Sequence, residues 1–212
     1  MARVIVAISG ASGAAVAVDV LHLLKERAVE VHLIVSHWGA ITLEHETGMR
    51  TRDLQPLVHT IHSNKNMASA LASGSYPVDA MAIVPCSART LGAIAQGTDP
   101  SLLGRAADVC LKERRKLVCA LRETPLSAIH LANALAVTNA GGIVAPLVPT
   151  FYANPHSVSD IVHDMASRIV ESLGFRVESS PHWGENTGLE IHRSDAPALS
   201  ESSSDNIHAL NN

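Results

Sequence analysis

Arg3-Val-Ile-Val-Ala-Ile8, then Ser9-Gly10-Ala11-Ser12-Gly13-Ala14-Ala15, then Val16, Val20, Leu21 and Leu24 at helical spacing: this stretch decides the fold. The five residues after Arg3 are apolar and mostly β-branched and predict a buried strand. The next seven are all serine-sized or smaller, so the chain can turn tightly there. Lys25, Glu26 and Arg27 close the helix that follows. A strand, a tight turn and a helix in this order open an α/β fold. The first amides of such a helix lack internal partners and the dipole is positive there, so the turn is read as an anion site. The competing reading is a turn whose small residues serve packing alone.

The turn is neither Gly-x-Gly-x-x-Gly nor a P-loop, because no Gly-Lys-Ser/Thr follows. A second strand, Val29–Val35, ends in Ser36-His37, where a dinucleotide site would want an acid for its ribose hydroxyls. A mononucleotide such as FMN therefore fits better than NAD.

Working outward, 212 residues at 47% hydrophobic suffice for one good-sized core, so a single domain over 1–193 is expected. A net charge of −4 with scattered Lys and Arg argues against nucleic acid as the main partner. No apolar run is long enough to span a bilayer. Cys86, Cys110 and Cys119 show no C-x-x-C spacing. With no signal peptide evident and the first residues entering a strand directly, reduced thiols in a cytoplasm are expected. Only 3% of residues are aromatic. Abundant Ala and Gly instead suggest closely packed helices and subunits, hence an oligomer. The twelve histidines are dispersed. His59-x-x-His62 is the closest pair, and its polar surroundings favour a surface role over a metal site.

A helix is expected over Trp38–Glu46, then a polar, irregular excursion over residues 50 to 70. Ala80–Val84 is a third strand, stopped by Pro85, with Ser87 and Thr90 as caps for a helix Leu91–Ala95. Leu102–Lys112 is a helix with Arg105, Asp108 and Lys112 near one face, and Lys116–Leu121 a fourth strand. Arg122-Glu123 stands at that strand's ligand end, and Thr124-Pro125 is expected to start a helix Leu126–Ala136. A fifth strand, Gly142–Ala145, precedes a proline-bounded loop with Phe151-Tyr152, and Ser157–Leu173 is the last helix. From Ser194 to Asn212 the composition predicts a disordered tail.

Several blocks then occur in a telling order: Gly10-Ala-Ser-Gly-Ala14, Ala72-Ser-Gly-Ser75, Pro85-Cys-Ser-x-x-Thr90, and Arg105-Ala-Ala-Asp-Val-x-Leu-Lys-Glu-Arg-Arg115. Arg122-Glu-Thr-Pro-Leu-Ser-x-Ile-His130, Pro149-x-Phe-Tyr152 and His182-Trp183-Gly184 complete the series. From residue 3 to about 185 the chain resembles the UbiX-type flavin prenyltransferases. The resemblance implies a three-layer α/β fold, Rossmann-like or flavodoxin-like, with a mostly parallel sheet. It implies transfer of a dimethylallyl group from dimethylallyl monophosphate to N5 and C6 of reduced FMN, without a metal. The product would serve a UbiD-type decarboxylase. The family commonly forms a homo-oligomer, a dodecamer, with each site at a subunit junction.

Carried over position by position, Gly10, Ala11, Ser12, Ser36, Ser87, Ala88, Arg89, Thr90 and Arg122 match FMN-binding positions. Tyr152 and Arg168 match prenyl-phosphate positions, and Arg105, Lys112 and Glu123 complete the polar pocket. Ser12 and Glu46 match residues near the flavin's reactive edge. The expected catalytic set is thus Ser12, Glu46, Lys112 and Glu123. A departing phosphate needs cations and a proton donor, which these side chains supply. Where the family often carries an aromatic residue over the prenyl site, this chain has Asn66-Met67-Ala68. Two alternatives stand beside this reading: an FMN-dependent cysteine decarboxylase of the same fold, and a non-catalytic FMN-carrying decarboxylase subunit.

Overall fold

The computed structural model describes residues 1–180 and 182. Six strands, β1 Arg3–Ile8, β2 Glu30–Val35, β3 Thr60–Ser63, β4 Ala80–Cys86, β5 Lys116–Leu121 and β6 Ile143–Val144, form one sheet. Every pairing is parallel, in the order β3-β2-β1-β4-β5-β6. The helices are α1 Ala14–Glu26, α2 His37–Thr47, α3 Ala88–Gln96, α4 Leu102–Lys112, α5 Ala128–Asn139 and α6 Val158–Leu173. The expected domain is thus a three-layer, Rossmann-like α/β sandwich.

The strands read as continuous apolar runs because both faces are covered. Val4, Val6 and Ile8 of β1 join one core with α1 and α6, while Ile5 and Ala7 join another with α3 and α4. Both cores are aliphatic: among the described residues no Phe, Tyr or Trp is buried. Alanines let the layers close up instead. Ala14 and Ala17 of α1 and Ala166 of α6 are wholly inaccessible.

Three expectations need correction. The excursion before residue 70 contains a 3-10 turn, Thr51–Leu57, and β3, the edge strand paired with β2. Four residues, Thr-Ile-His-Ser, carry too little hydrophobic pattern to be seen as a strand. Pro85 does not stop its strand: β4 continues to Cys86 with a register irregularity against β5 between Ile83 and Cys86, where a missing N–H is tolerated. The helix expected from Leu126 starts at Ala128, because Ser127 and not Thr124 supplies the cap, accepting from the His130 N–H. The expected tail, 194–212, lies outside the described residues.

Candidate functional site

Chain direction across the sheet reverses between β1 and β4, and ligands of open α/β sheets sit at the carboxyl ends of strands at such a switch. Ladder pairing of β1 with β4 ends at Ala7 and Ile83, and Ser9 takes over. Its hydroxyl donates to the Pro85 carbonyl (2.8 Å) and accepts from the Ser87 N–H (2.8 Å). This buried serine ties the first loop to the third, and sequence reasoning passed over it. It looked like one more small residue of the turn.

Four strand ends feed one cleft of about 640 Å³. Gly10 lines it after β1, Ser36 and Trp38 after β2, Ser87, Ala88, Arg89 and Thr90 after β4, and Glu123 after β5. The loops fit because glycines allow close approach. A Cβ on Gly10 would lie 2.4 Å from Trp38 Cβ, and one on Gly39 would lie 2.4 Å from the Ile8 carbonyl oxygen. Asn64 shapes the far rim: its carbonyl and side-chain oxygens accept from Leu102 and Leu103 N–H (both 2.9 Å), pinning the start of α4.

Two helix N-termini open into this cleft. Ser36 Oγ accepts from the Gly39 N–H (3.0 Å) at the start of α2. Ser87 Oγ accepts from the Thr90 N–H (3.1 Å) and donates to Thr90 Oγ1 (2.9 Å) at the start of α3. Ser87 alone is the cap, so Thr90 is a partner within the helix and not a second cap. Both helices present remaining first-turn amides and a positive dipole end to an anion.

At α1 the expectation of an open anion site is overturned. Glu46 Oε2 accepts from the Gly13 (3.0 Å) and Ala14 (2.8 Å) N–H groups, so the chain's own carboxylate fills it. Burial works to raise the Glu46 carboxyl pKa. The hydrogen bonds from Ser12 and the Ala14 and Gly13 amides, with the charge of Arg122, outweigh burial and hold it below its usual value. Ser12, Glu46 and Arg122 are thereby gathered at one edge. Arg122 is anchored through its N–H to the Cys86 carbonyl (3.0 Å). Glu123 Oε1 accepts from the Thr124 N–H (3.0 Å), and no Arg122–Glu123 ion pair occurs among the described residues.

Arg105, Lys112, Tyr152 and Arg168 do not line the cleft. On α4, Arg105 Nε donates to the Ala72 carbonyl (3.1 Å) and the guanidinium pairs with Asp108, while Lys112 pairs with Glu113. Arg168 borders a separate hollow of about 250 Å³ beside residues 145–148. Tyr152 sits on an exposed 3-10 turn, Phe151–Ala153. A single chain therefore does not assemble the pocket expected around Glu123. Helical spacing placed these cations correctly on their elements but could not say which way those elements face.

His62 corrects another expectation. It is half-buried and bonded to His32 (2.8 Å), not a surface residue. Trp183 and Gly184 lie outside the described residues, whereas His182 Nε2 reaches Glu171 (2.8 Å). Among the described residues no three His, Cys, Asp or Glu side chains are grouped to hold a metal, and no helix is long and apolar enough to cross a membrane.

Comparison with known proteins agrees with this fold. The family described as Flavoprotein matches residues 1–170. The flavin prenyltransferase PAD1, mitochondrial, of Saccharomyces cerevisiae is 42% identical over 181 residues, covering 85% of this chain and 75% of the yeast protein. The crystal structure of AnUbiX (PadA1) in complex with FMN and dimethylallyl pyrophosphate superposes with a TM-score of 0.84 at 40% identity, covering 86% of this chain and 97% of that one. The dodecameric FMN-dependent UbiX-like decarboxylase of Escherichia coli O157:H7 gives 0.83 at 42% identity, covering 85% and 98%.

Proposed function

This chain belongs to the UbiX-type flavin prenyltransferases, and we propose that its cleft receives FMN, with the phosphate at the paired N-termini of α2 and α3. Ser36 and Ser87 to Thr90 would hold that phosphate, and Gly10, Ala11, Ser12, Glu46 and Arg122 would face the ring. The fit rests on this structure's own features. The cleft has the volume of a cofactor site, and two capped helices point amides into it. Gly10 lets the first loop pack directly against Trp38, which keeps both at the cleft wall.

Reduced FMN supplies N5 and C6 for the two bonds to the dimethylallyl unit, whose phosphate leaves. Every other task falls to the chain. Glu123 would handle protons: those released from N5 and C6 as the two bonds form are matched by one taken up on the donor's alkene carbon and one on the departing phosphate. Glu46, ionised and held by Gly13, Ala14 and Ser12, fixes the turn at the reactive edge. Arg105, Lys112, Tyr152 and Arg168 bind the donor phosphate where copies of the chain meet, which is why one chain leaves them outside its cleft. The donor is a dimethylallyl phosphate ester, with the monophosphate as our choice. The assembly is a homo-oligomer, a dodecamer in this reading, and the product goes to a UbiD-type decarboxylase. The three cysteines are free and buried, which suits a reducing cytoplasm.

The observation that carries the proposal is the meeting of two capped helix N-termini with Gly10 and Glu123 in one cleft. Mixing purified protein with reduced FMN and dimethylallyl monophosphate tests it. The mass of the recovered flavin should rise by one C5H8 unit. An unchanged flavin, with decarboxylation of a cysteine-ended peptide instead, would move the chain to the cysteine decarboxylases.

A further inference from the structure

A line of side chains outside the cleft has no place in the reaction described so far. Arg3 donates to both oxygens of Glu30 (2.7 and 3.0 Å). Glu30 Oε1 lies 3.0 Å from His32 Nε2, His32 Nδ1 2.8 Å from His62 Nε2, and His62 Nδ1 3.1 Å from Ser69 Oγ. His32 is only 4% exposed. Ser69 caps the 3-10 turn Ala70–Ala72, accepting from the Leu71 N–H (3.4 Å). The Ala72 carbonyl ends the line, receiving Arg105 Nε. Arg115 clamps the other end of this segment through the Gly74 (2.6 Å) and Tyr76 (3.0 Å) carbonyls.

Chemistry sets the direction of the line. Glu30, bonded to Arg3 and His32, has its pKa lowered to about 2 and can only accept. His32 must therefore carry its hydrogen on Nε2, and in the neutral form it accepts at Nδ1. His62 must then donate from Nε2 and accept at Nδ1, so the Ser69 hydroxyl donates to it. Burial lowers both imidazole pKa values, and His32 lowers that of His62 further, so both are neutral near pH 7. The other groups facing the pair are few. Tyr76 OH lies 3.3 Å from His32 Nε2, exposed His59 stands edge-on to His32 at 5.7 Å, and Arg3 lies over the Tyr76 ring. An added proton reverses the line. His32 would donate at both nitrogens, His62 would accept at Nε2 and donate at Nδ1, and Ser69 would lose the acceptor for its own hydrogen.

We propose that His32 and His62 are positioning residues for prenyl transfer: neutral, they hold the Ser69 turn, whose Ala72 carbonyl aims Arg105 at the donor phosphate. Protonation of the pair loosens the turn and weakens donor binding without touching the flavin cleft. The inference rests on the reading that Arg105 binds that phosphate.

Two variants and two readouts test it on the FMN-loaded assembly. His62→Gln keeps an N–H donor and an oxygen acceptor but cannot titrate; His62→Leu removes both. The wild-type KM for dimethylallyl monophosphate should rise on going from pH 7 to pH 5 by about fivefold more than that of His62→Gln. The donor's own phosphate titrates equally in both, so the difference belongs to the protein. His62→Leu should raise KM about tenfold at both pH values with kcat within about threefold. Amide hydrogen exchange over residues 70–75 should quicken in His62→Leu and stay near wild type in His62→Gln at pH 7. Exchange unaltered in His62→Leu, or an acid rise in His62→Gln equal to that of the wild type, overturns the proposal. Faster exchange with an unaltered KM overturns the link to Arg105. Arg105→Gln then separates the causes: a normal KM there means that the donor-site reading itself has failed, and a raised KM means that only the positioning has.

Discussion

Glu46 takes the amides of Gly13 and Ala14, so the start of α1 is electrically satisfied before any ligand arrives. Its carboxyl pKa is depressed, so its stabilising contribution is complete above the ordinary carboxylate pKa and fades as pH falls through the lowered value. Glu46→Gln should cost about 0.5–2 kcal/mol, the usual worth of a helix cap, and thermal unfolding at pH 7 measures it. At pH 3 the gap between variant and parent should narrow. Glu123 makes a different case, since its one described bond is to the neighbouring Thr124 N–H. Glu123→Gln should bind FMN normally and slow prenylation by about 10²–10⁴, read from single turnovers with both reactants saturating. A rate within about threefold of the parent would remove Glu123 from the mechanism. Gly39 is a third, purely steric case. Gly39→Ala would drive a Cβ into the Ile8 carbonyl oxygen, destabilising by about 1–3 kcal/mol and weakening FMN binding in a flavin titration.

Among the elements, β3 and β4 depart furthest from expectation. β3 is a short edge strand with His62 facing His32 of β2, so its partner and not its own pattern makes it a strand. β4 passes through Pro85 because that carbonyl is used by Ser9 while the missing N–H falls at the register irregularity. The Arg3–Glu30 pair ties the starts of β1 and β2 together, and its sign is definite. Glu30 titrates near 2 in the fold against 4.5 unperturbed, so its stabilisation is full above pH 4.5 and is lost as pH falls toward 2. Glu30→Gln should therefore unfold earlier than the parent at pH 7 but nearly with it at pH 2, as followed by circular dichroism.

On the scale of the whole molecule, the described surface is unusually apolar along α5. Ile129, Leu131 and Leu135 are 71%, 56% and 61% exposed, with Leu126 beside them. Large apolar side chains left exposed around so much of one helix mark contact with other surfaces. Together with the absence of any buried ring among the described residues, this favours a chain that completes its core by association. Light scattering at micromolar concentration should show an oligomer, and Leu135→Glu should yield smaller, less active species. An active monomer would contradict both the assembly and the shared donor site proposed with it.

The α/β class, most element positions and the list of candidate residues were legible in the sequence, because they depend on local periodicity, capping and turn chemistry. Lys116–Leu121 and Leu102–Lys112 have the bounds that pattern predicts. Family motifs added the FMN and prenyl reading at positions composition could not single out. Tertiary structure alone decided that Glu46 fills the α1 amides, that Ser9 bridges β1 and β4, and that His62 meets His32. It also turned Arg105 and Lys112 away from the cleft. Each of these is a contact between residues at least 30 apart in the chain or the facing of a whole element. Periodicity tells which side of a helix is buried, but the surface it is buried against exists only once the sheet has been laid down.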